Sequence, residues 1–377
     1  MRIALFSGNY NYLREGANQA LNRLVGWLEG TAGHQVRVYS PVTDTPAFEP
    51  AGTLVPVPSI ALPVRSEFRL ATGLPKAIRR NIAQFKPDIV HVSTPDILNT
   101  RAQTFAKQIG VPVVASQHTL FETYLDYYRI GWLRPLAEAH LDRFYRRSDH
   151  VVTPTETLAA QMRETRGDRR ASVWSRGIDR ALFDPARRSP DWRRAQGIAD
   201  HEIAVLFFGR LVLEKGIADY VEAIRRLRAQ GLPVRPLVVG EGPGRSAFGP
   251  LDDAVLTGHL EGEALARAVA SADLFHHPST TETFGNVVLE GLAAGLPIVA
   301  ADAPGSRELL DHGAAGVLYA PRDLDAAVAA LAGLAADRDS RKAMVKAARN
   351  RSGGFSWDAA SASVEQVYRD LLGDTRP

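Results

Sequence analysis

The sequence predicts an α/β protein of two Rossmann-like domains, each with a parallel sheet, facing one another across a central cleft. Three observations carry this. The length, 377 residues, exceeds what one hydrophobic core usually supports and favours two domains. Short apolar runs alternate with longer stretches of helical period, the pattern of βαβ units. Near the middle, the polar, Pro-bearing stretch RALFDPARRSPDWRRAQGI (180–198) breaks the alternation and puts a linker near 178–200.

In the first domain, residues 1–178, the strand candidates are RIALFS (2–7), QVRVYS (35–40), IVHVS (89–93), VPVVAS (111–116) and HVVTP (150–154). Between them, GANQALNRLVGWLE (16–29), LNTRAQTFAKQIG (98–110) and LRPLAEAHLDRFYRRS (133–148) carry helical period. The second domain, 179–355, repeats the alternation with AVLFFG (204–209), RPLVVG (235–240), AVLTG (254–258), DLFHHPS (273–279) and PIVAAD (297–302). A last helix follows at 356–377.

Composition excludes several classes. No apolar run reaches the roughly 18 residues that cross a bilayer. MRIALFSG reads as a first buried strand, since it lacks the charged and apolar regions of a signal peptide, so a cytoplasmic chain is expected. With no cysteine, disulfides, thiolate metal sites and cysteine nucleophiles are out. A net charge of +3 is too small to argue for nucleic acid. It is unevenly spread: residues 1–170 hold 21 Lys/Arg against 15 Asp/Glu, the remainder 24 against 27, so an acidic partner suits the first half. SGNYNYLREG, after the first strand, lacks G-x-G-x-x-G, and the second strand does not end in an acid, which disfavours an NAD-type dehydrogenase.

The densest chemistry lies in PSTTETFGNVVLEGLAAGLPIVA (278–300). A strand feeds a short loop and then a helix, stopped by Gly295. Thr280, Thr281 and Thr283 are candidate caps, leaving the amides of Gly285, Asn286 and Val287 at the helix start, where amides and helix dipole bind phosphate. Glu282 sits on the loop and Glu290 inside the helix; a carboxylate accepting from two vicinal hydroxyls suits a ribose or hexose diol. Each glutamate by itself is equally an ordinary solvated or paired acid. A second cluster, GRLVLEKG (209–216), follows a strand directly and offers Arg210 and Lys215, the fixed cations a diphosphate leaving group needs when no metal is present. Read alone it is a basic pair at a strand end.

Glu282 and Glu290, seven residues between them and Phe284-Gly285 inside, resemble the signature segment of the retaining glycosyltransferases of family 4, and the similarity runs over nearly the whole chain. It implies the two-domain GT-B fold and retaining transfer of a hexose-type sugar from a UDP- or GDP-sugar to an acceptor hydroxyl, with no cofactor and no metal. It assigns catalytic positions to His118, Arg210, Lys215 and Glu282. Donor-binding positions are Gly16, Arg176, Gly240, His259, Glu282, Phe284, Gly285, Asn286, Val287 and Glu290. Gly16, by itself a plain helix-opening glycine, corresponds to a glycine loop against the donor phosphate. His118, by base rate a structural histidine, corresponds to a histidine near the transferred sugar. GEGPG (240–244) forms a turn under the nucleotide, and His259 lies where relatives hold the base through backbone. The D-x-D pairs Asp323/Asp325 and Asp337/Asp339 read as helix caps and not as metal ligands.

LPVRSEFRL (62–70) and WSRGID (174–179) are similar to segments of family members that glycosylate lipids, the branch of sulfoquinovosyl-diacylglycerol synthases and lipid mannosyltransferases. Basic and apolar residues mix in 64–80 (Arg65, Arg69, Lys76, Arg79, Arg80 with Phe68, Leu70, Leu74) and in 128–147 (Trp132, Phe144, Tyr145 among arginines). Either they are solvated helix faces, or they hold a peripheral enzyme on the anionic inner face of the plasma membrane, where it meets a lipid or lipid-linked acceptor. Two other readings stay open: another GT-B enzyme such as an epimerase or phosphorylase, and a non-catalytic nucleotide-sugar binding protein.

Overall fold

The computed structural model describes residues 1–62, 68–119 and 131–373. Arg65 and residues 128–130 of the basic-apolar segments lie outside the described residues. The chain divides into two compact units, Met1–Arg176 with Trp357–Pro377, and Gly177–Ser356.

The first unit holds β1 (Arg2–Phe6), β2 (Gln35–Ser40), β3 (Thr53–Pro56), a small antiparallel pair β4 (Ser59–Ala61) and β5 (Arg69–Ala71), then β6 (Ile89–Val92), β7 (Val113–Ser116), β8 (His150–Thr153) and β9 (Ala171–Val173). Among the described residues these form a seven-stranded parallel sheet in the order β3-β2-β1-β6-β7-β8-β9. Alternate residues go to opposite faces, as the two-residue period requires. Ala4, Phe6, Val90 and Val92 join one core cluster, while Ile3, Leu5, Ile89 and Val114 join another on the reverse face. Both faces are covered, which is why the strands read as continuous apolar runs. The helix Trp357–Leu372 closes this unit, its Val364, Val367 and Tyr368 entering the second of those clusters.

The second unit repeats the plan with β10 (Ile203–Phe208), β11 (Val234–Val239), β12 (Val255–Leu256), β13 (Leu274–His277), β14 (Ile298–Ala301) and β15 (Val317–Tyr319). Their order is β12-β11-β10-β13-β14-β15, again parallel. Strand order reverses between β10 and β13, and open α/β sheets bind ligands outside the carboxyl ends of the strands at such a switch point. The loops leaving β10 and β13 carry GRLVLEKG and TTETFG.

The short strands β3, β9 and β15 and the β4–β5 pair were not readable in the sequence, because they are partly exposed and no continuous apolar run marks them. The stretch read as a linker is also more structured than its polarity suggests. Asp184 and Ser189 cap two short helical turns, Pro185–Arg187 and Pro190–Ala195. Arg193, 3% exposed, donates to Ser271 O at 2.7 Å and to Asp273 Oδ2 at 2.9 Å, which fastens the segment to the second unit. Arg187, Arg188, Arg193 and Arg194 of this stretch stand in ion pairs.

Candidate functional site

In the second unit, β10 ends at Phe208, Arg210 follows exposed on the loop, and a single 3-10 turn, Leu213–Lys215, leads into the helix Ile217–Ala229. Beneath this loop lies GEGPG. Gly209 N donates to Val239 O at 3.0 Å, Leu211 N to Glu241 O at 2.9 Å, and Gly244 N to Leu211 O at 2.7 Å. Backbones this close leave no room for side chains: a Cβ on Gly240, whose φ is +138°, would stand 1.9 Å from Gly209 O. The run of glycines therefore supports the Arg210 loop and lets it lie flat on its neighbour.

β13 ends at His277, and Pro278 packs against Gly216, bringing the 3-10 turn next to the TETFG loop. There Lys215 Nζ lies 2.5 Å from Glu282 Oε1, and His277 Nε2 lies 3.4 Å from the same oxygen without hydrogen-bonding geometry. Burial opposes ionisation of Glu282, but the Lys215 ammonium and His277 outweigh it and hold the carboxyl well below the usual range. Lys215 and Glu282, expected to meet the diphosphate and the sugar separately, are thus a mutual ion pair. His277 was not picked out in the sequence; the signal was present, as the strand-end position five residues before a glutamate that the same loop returns.

The helix Asn286–Ala293 begins at Gly285, which sits at φ +90° as the N-cap with no side-chain cap. The expected threonine caps are absent: Thr281 Oγ1 is buried with no partner among the described residues, as are Ser279 Oγ and Ser306 Oγ nearby. Left-handed backbone at Gly285 turns the chain into the helix and carries the threonines past the cap position. Among the described residues the amides of Gly285, Asn286 and Val287 donate to nothing. The loop is braced from behind, where Gly305 N donates to Glu282 O at 3.0 Å and a Cβ on Gly305 would lie 2.3 Å from Phe284 O. Phe284 is 4% exposed and packs edge-on against Phe355, so its ring helps to fix the loop. Glu290 is half-buried and its carboxyl has no ion-pair or hydrogen-bond partner among the described residues; burial pushes it up to about 8. His259 is exposed: its amide donates to Glu241 Oε2 at 3.2 Å and its ring meets Glu261 at 2.7 Å. Asp323 and Asp337 accept from amides of the helices they precede, the cap role read from sequence.

In the first unit, Gly16 opens the helix Gly16–Gly30. His118 follows β7. Its Nε2 is 2.9 Å from Ser116 Oγ, its Nδ1 3.0 Å from Arg176 Nη2, and its ring stands edge-on to Trp174. Burial, then the charge of Arg176, holds the imidazole well below its ordinary pKa, hence neutral. Both ring nitrogens are engaged, so the expected hydrogen bond from His118 to a sugar needs one of these partners to give way. Arg176, expected to touch the donor, is 4% exposed and donates to Trp174 O at 2.8 Å and Ser175 O at 3.0 Å, its guanidinium lying over the Trp174 ring. Burial brings it down to about 9. Of the basic-apolar segments, Leu74, Phe144 and Tyr145 are core residues, whereas Trp132 and Leu136 are 77% and 70% exposed.

Two family models match. That of glycosyl transferases group 1 covers residues 188–351, and that of glycosyltransferase family 4 covers residues 14–182. A GDP-mannose-dependent alpha-mannosyltransferase of Mycolicibacterium smegmatis is 32% identical over 99% of this chain and 98% of its own length. A sulfoquinovosyl transferase of Arabidopsis thaliana is 31% identical over 81% of this chain, which spans 61% of that protein. Among solved structures, a sucrose-phosphate synthase from Thermosynechococcus elongatus superposes with a TM-score of 0.78 at 20% identity, covering 99% of this chain and all of that one.

Proposed function

The chain belongs to glycosyltransferase family 4, with the GT-B fold, and from that premise we propose that it transfers a hexose-type sugar from a UDP- or GDP-sugar to an acceptor hydroxyl with retention and without a metal. The observation that carries this reading is the set of ligand-ready groups at the β10/β13 switch point. These are three amides that donate to nothing among the described residues at a helix start, an unpartnered half-buried carboxyl at Glu290, and a cation, Lys215, held by Glu282.

The amides of Gly285, Asn286 and Val287 and the helix dipole receive a diphosphate. Lys215 turns from Glu282 to the phosphate oxygens, with Arg210 on the same loop, and together they stabilise the charge that grows as the bond to the anomeric carbon breaks. Glu282, released from Lys215, accepts from sugar hydroxyls, and Glu290 accepts from the two ribose hydroxyls. The acceptor oxygen forms a bond to the anomeric carbon on the face from which the nucleoside diphosphate departs, and the acceptor's proton passes to the departing phosphate oxygen. Positioning and electrostatic stabilisation provide the catalysis. For His118 the proposed role is the one the family resemblance implies, orienting the transferred sugar.

For the acceptor, exposed Trp132 and Leu136 stand one helical turn apart around Arg134, a pattern that suits an anionic lipid surface at about 1 kcal/mol per basic residue. Transfer of labelled sugar from UDP- and GDP-sugars, with and without chelator and with the product anomer read by NMR, tests the reaction; inversion or a strict metal requirement would overturn it. Flotation with anionic vesicles tests the acceptor side, and the absence of binding together with transfer to a soluble acceptor removes the lipid reading.

A further inference from the structure

Behind His118 runs a chain of side chains that the proposed reaction does not use. Ser116 Oγ, 2.9 Å from His118 Nε2, is also 3.0 Å from Nε2 of His91 on β6, and His91 Nδ1 is 2.5 Å from the hydroxyl of Tyr368 on the C-terminal helix. His91 and Tyr368 are fully buried and Ser116 is 1% exposed, so water does not interrupt the chain. Trp174 walls it, edge-on to both histidines.

The proton positions follow from chemistry. A guanidinium only donates, so His118 Nδ1 accepts from Arg176 and the ring proton stands on Nε2. Nε2–H donates to Ser116 Oγ, the single Ser116 proton goes to His91 Nε2, and His91 Nδ1–H donates to the Tyr368 oxygen. In this order the phenol proton of Tyr368 has no acceptor among the described residues. The opposite order gives it one: Tyr368 donates to His91 Nδ1, His91 Nε2–H to Ser116, and Ser116 to His118 Nε2, which leaves a proton on His118 Nδ1. That proton faces Arg176, donor against donor. The two ends of the chain therefore ask for opposite orders.

We infer that Ser116, His91 and Tyr368 form a two-state hydrogen-bond relay that fixes which nitrogen of His118 carries its proton, with Arg176 selecting the direction. While Arg176 is engaged, Nδ1 of His118 is a pure acceptor. When the guanidinium withdraws, the relay reverses and the same nitrogen becomes a donor. The two orders hold equal numbers of protons; reversal takes one proton from water at His118 Nδ1 and returns one to water from the Tyr368 end on transient opening. Ser116, His91 and Tyr368 are positioning residues, acting through His118. Their consequence for transfer rests on the proposed role of His118; the relay itself does not.

The test is NMR of the full chain with 13C/15N-labelled histidine, reading which ring nitrogen is protonated, with His118→Gln and His91→Asn as assignment variants. The wild type is expected to show His118 protonated at Nε2 and His91 at Nδ1. Arg176→Met is expected to reverse both, although Arg176 bonds to His118 and His91 lies two links further on. Should that variant not fold, Ser116→Ala cuts the chain: His91 alone moves its proton to Nε2 while His118 keeps its own. The opposite order in the wild type, or a His91 proton that stays on Nδ1 in these variants, overturns the relay. A fall in kcat on the order of tenfold to a hundredfold in Arg176→Met, the variant in which the His118 proton moves, with donor KM unchanged, ties it to transfer. Tautomers as expected with full transfer by Arg176→Met support the relay and remove the His118 tautomer from the proposed reaction.

Discussion

Glu290→Gln should make the protein more stable and less active, and the stability gain should depend on pH in a calculable way. The wild-type carboxyl is pushed up to about 8 by burial, against an ordinary value of 4.5. A raised carboxyl favours the folded state below its unfolded pKa, and this contribution is lost as pH rises from that value to about 8. The slope in between is about 1.4 kcal/mol per pH unit. From pH 5 to pH 8 the ideal loss is about 3.5 kcal/mol, or about 2–3 kcal/mol once the partial exposure of the residue is allowed for. Glutamine keeps the shape and does not titrate. The difference in stability between Glu290→Gln and wild type should be small at pH 5 and grow by about 2–3 kcal/mol at pH 8, roughly 5–10 °C in the melting transition of a unit of this size. All other titrating groups are shared and cancel. Melting curves of both proteins at pH 5, 6.5 and 8 measure it. The same substitution leaves one acceptor oxygen where the ribose diol asks for two, so donor affinity should fall most where the wild-type carboxyl is ionised, toward and above pH 8. A stability difference that is flat across this range would refute an unpaired, desolvated Glu290.

Lys215→Met should lower transfer by about a hundredfold or more and also destabilise the protein by about 1–3 kcal/mol at neutral pH, because it leaves Glu282 buried beside His277 alone; turnover and melting in the same preparation check it. Glu282→Gln should destabilise at neutral pH, with the penalty fading as pH falls below about 4.5, since a depressed carboxyl contributes its stability above the unfolded value and loses it in acid; acid titration of the two melting curves reads this. Gly240→Ala should cost about 2 kcal/mol or more and loosen the Arg210 loop, since its Cβ would stand 1.9 Å from Gly209 O at a φ of +138°. Its signature is a lower melting temperature with a weaker thermal shift from UDP or GDP.

What was legible in the sequence follows the range of the forces involved. β1, β6, β10, β13 and β14 are buried on both faces, so each residue records the same apolar requirement and the runs stand out. Glu282, Lys215 and Glu290 were legible for a related reason: each is fixed to a strand end or helix turn by local chain geometry, and their spacing survives as a motif. For Phe284 the motif records that the position matters and does not record which way the side chain turns; here the ring is buried against Phe355. The threonine caps failed at one dihedral angle, the φ of +90° at Gly285, which no composition rule anticipates.

The environment of His118 was the least legible, and the reason is chain separation. Its controlling contacts come from Arg176, 58 residues away, and through Ser116 and His91 from Tyr368, the last two standing 277 positions apart. In the sequence those residues look like a polar interruption of IVHVS, a strand-end serine and an ordinary helix tyrosine. Only the sheet, by setting β6 beside β7, and the returning C-terminal helix, by laying Tyr368 on their reverse face, convert them into one hydrogen-bonded line. Such a line has a direction, and a direction cannot be encoded in any one of its members. It is decided at the end where a group can only donate, which is why replacing Arg176 should be felt at His91 in the middle of the sheet.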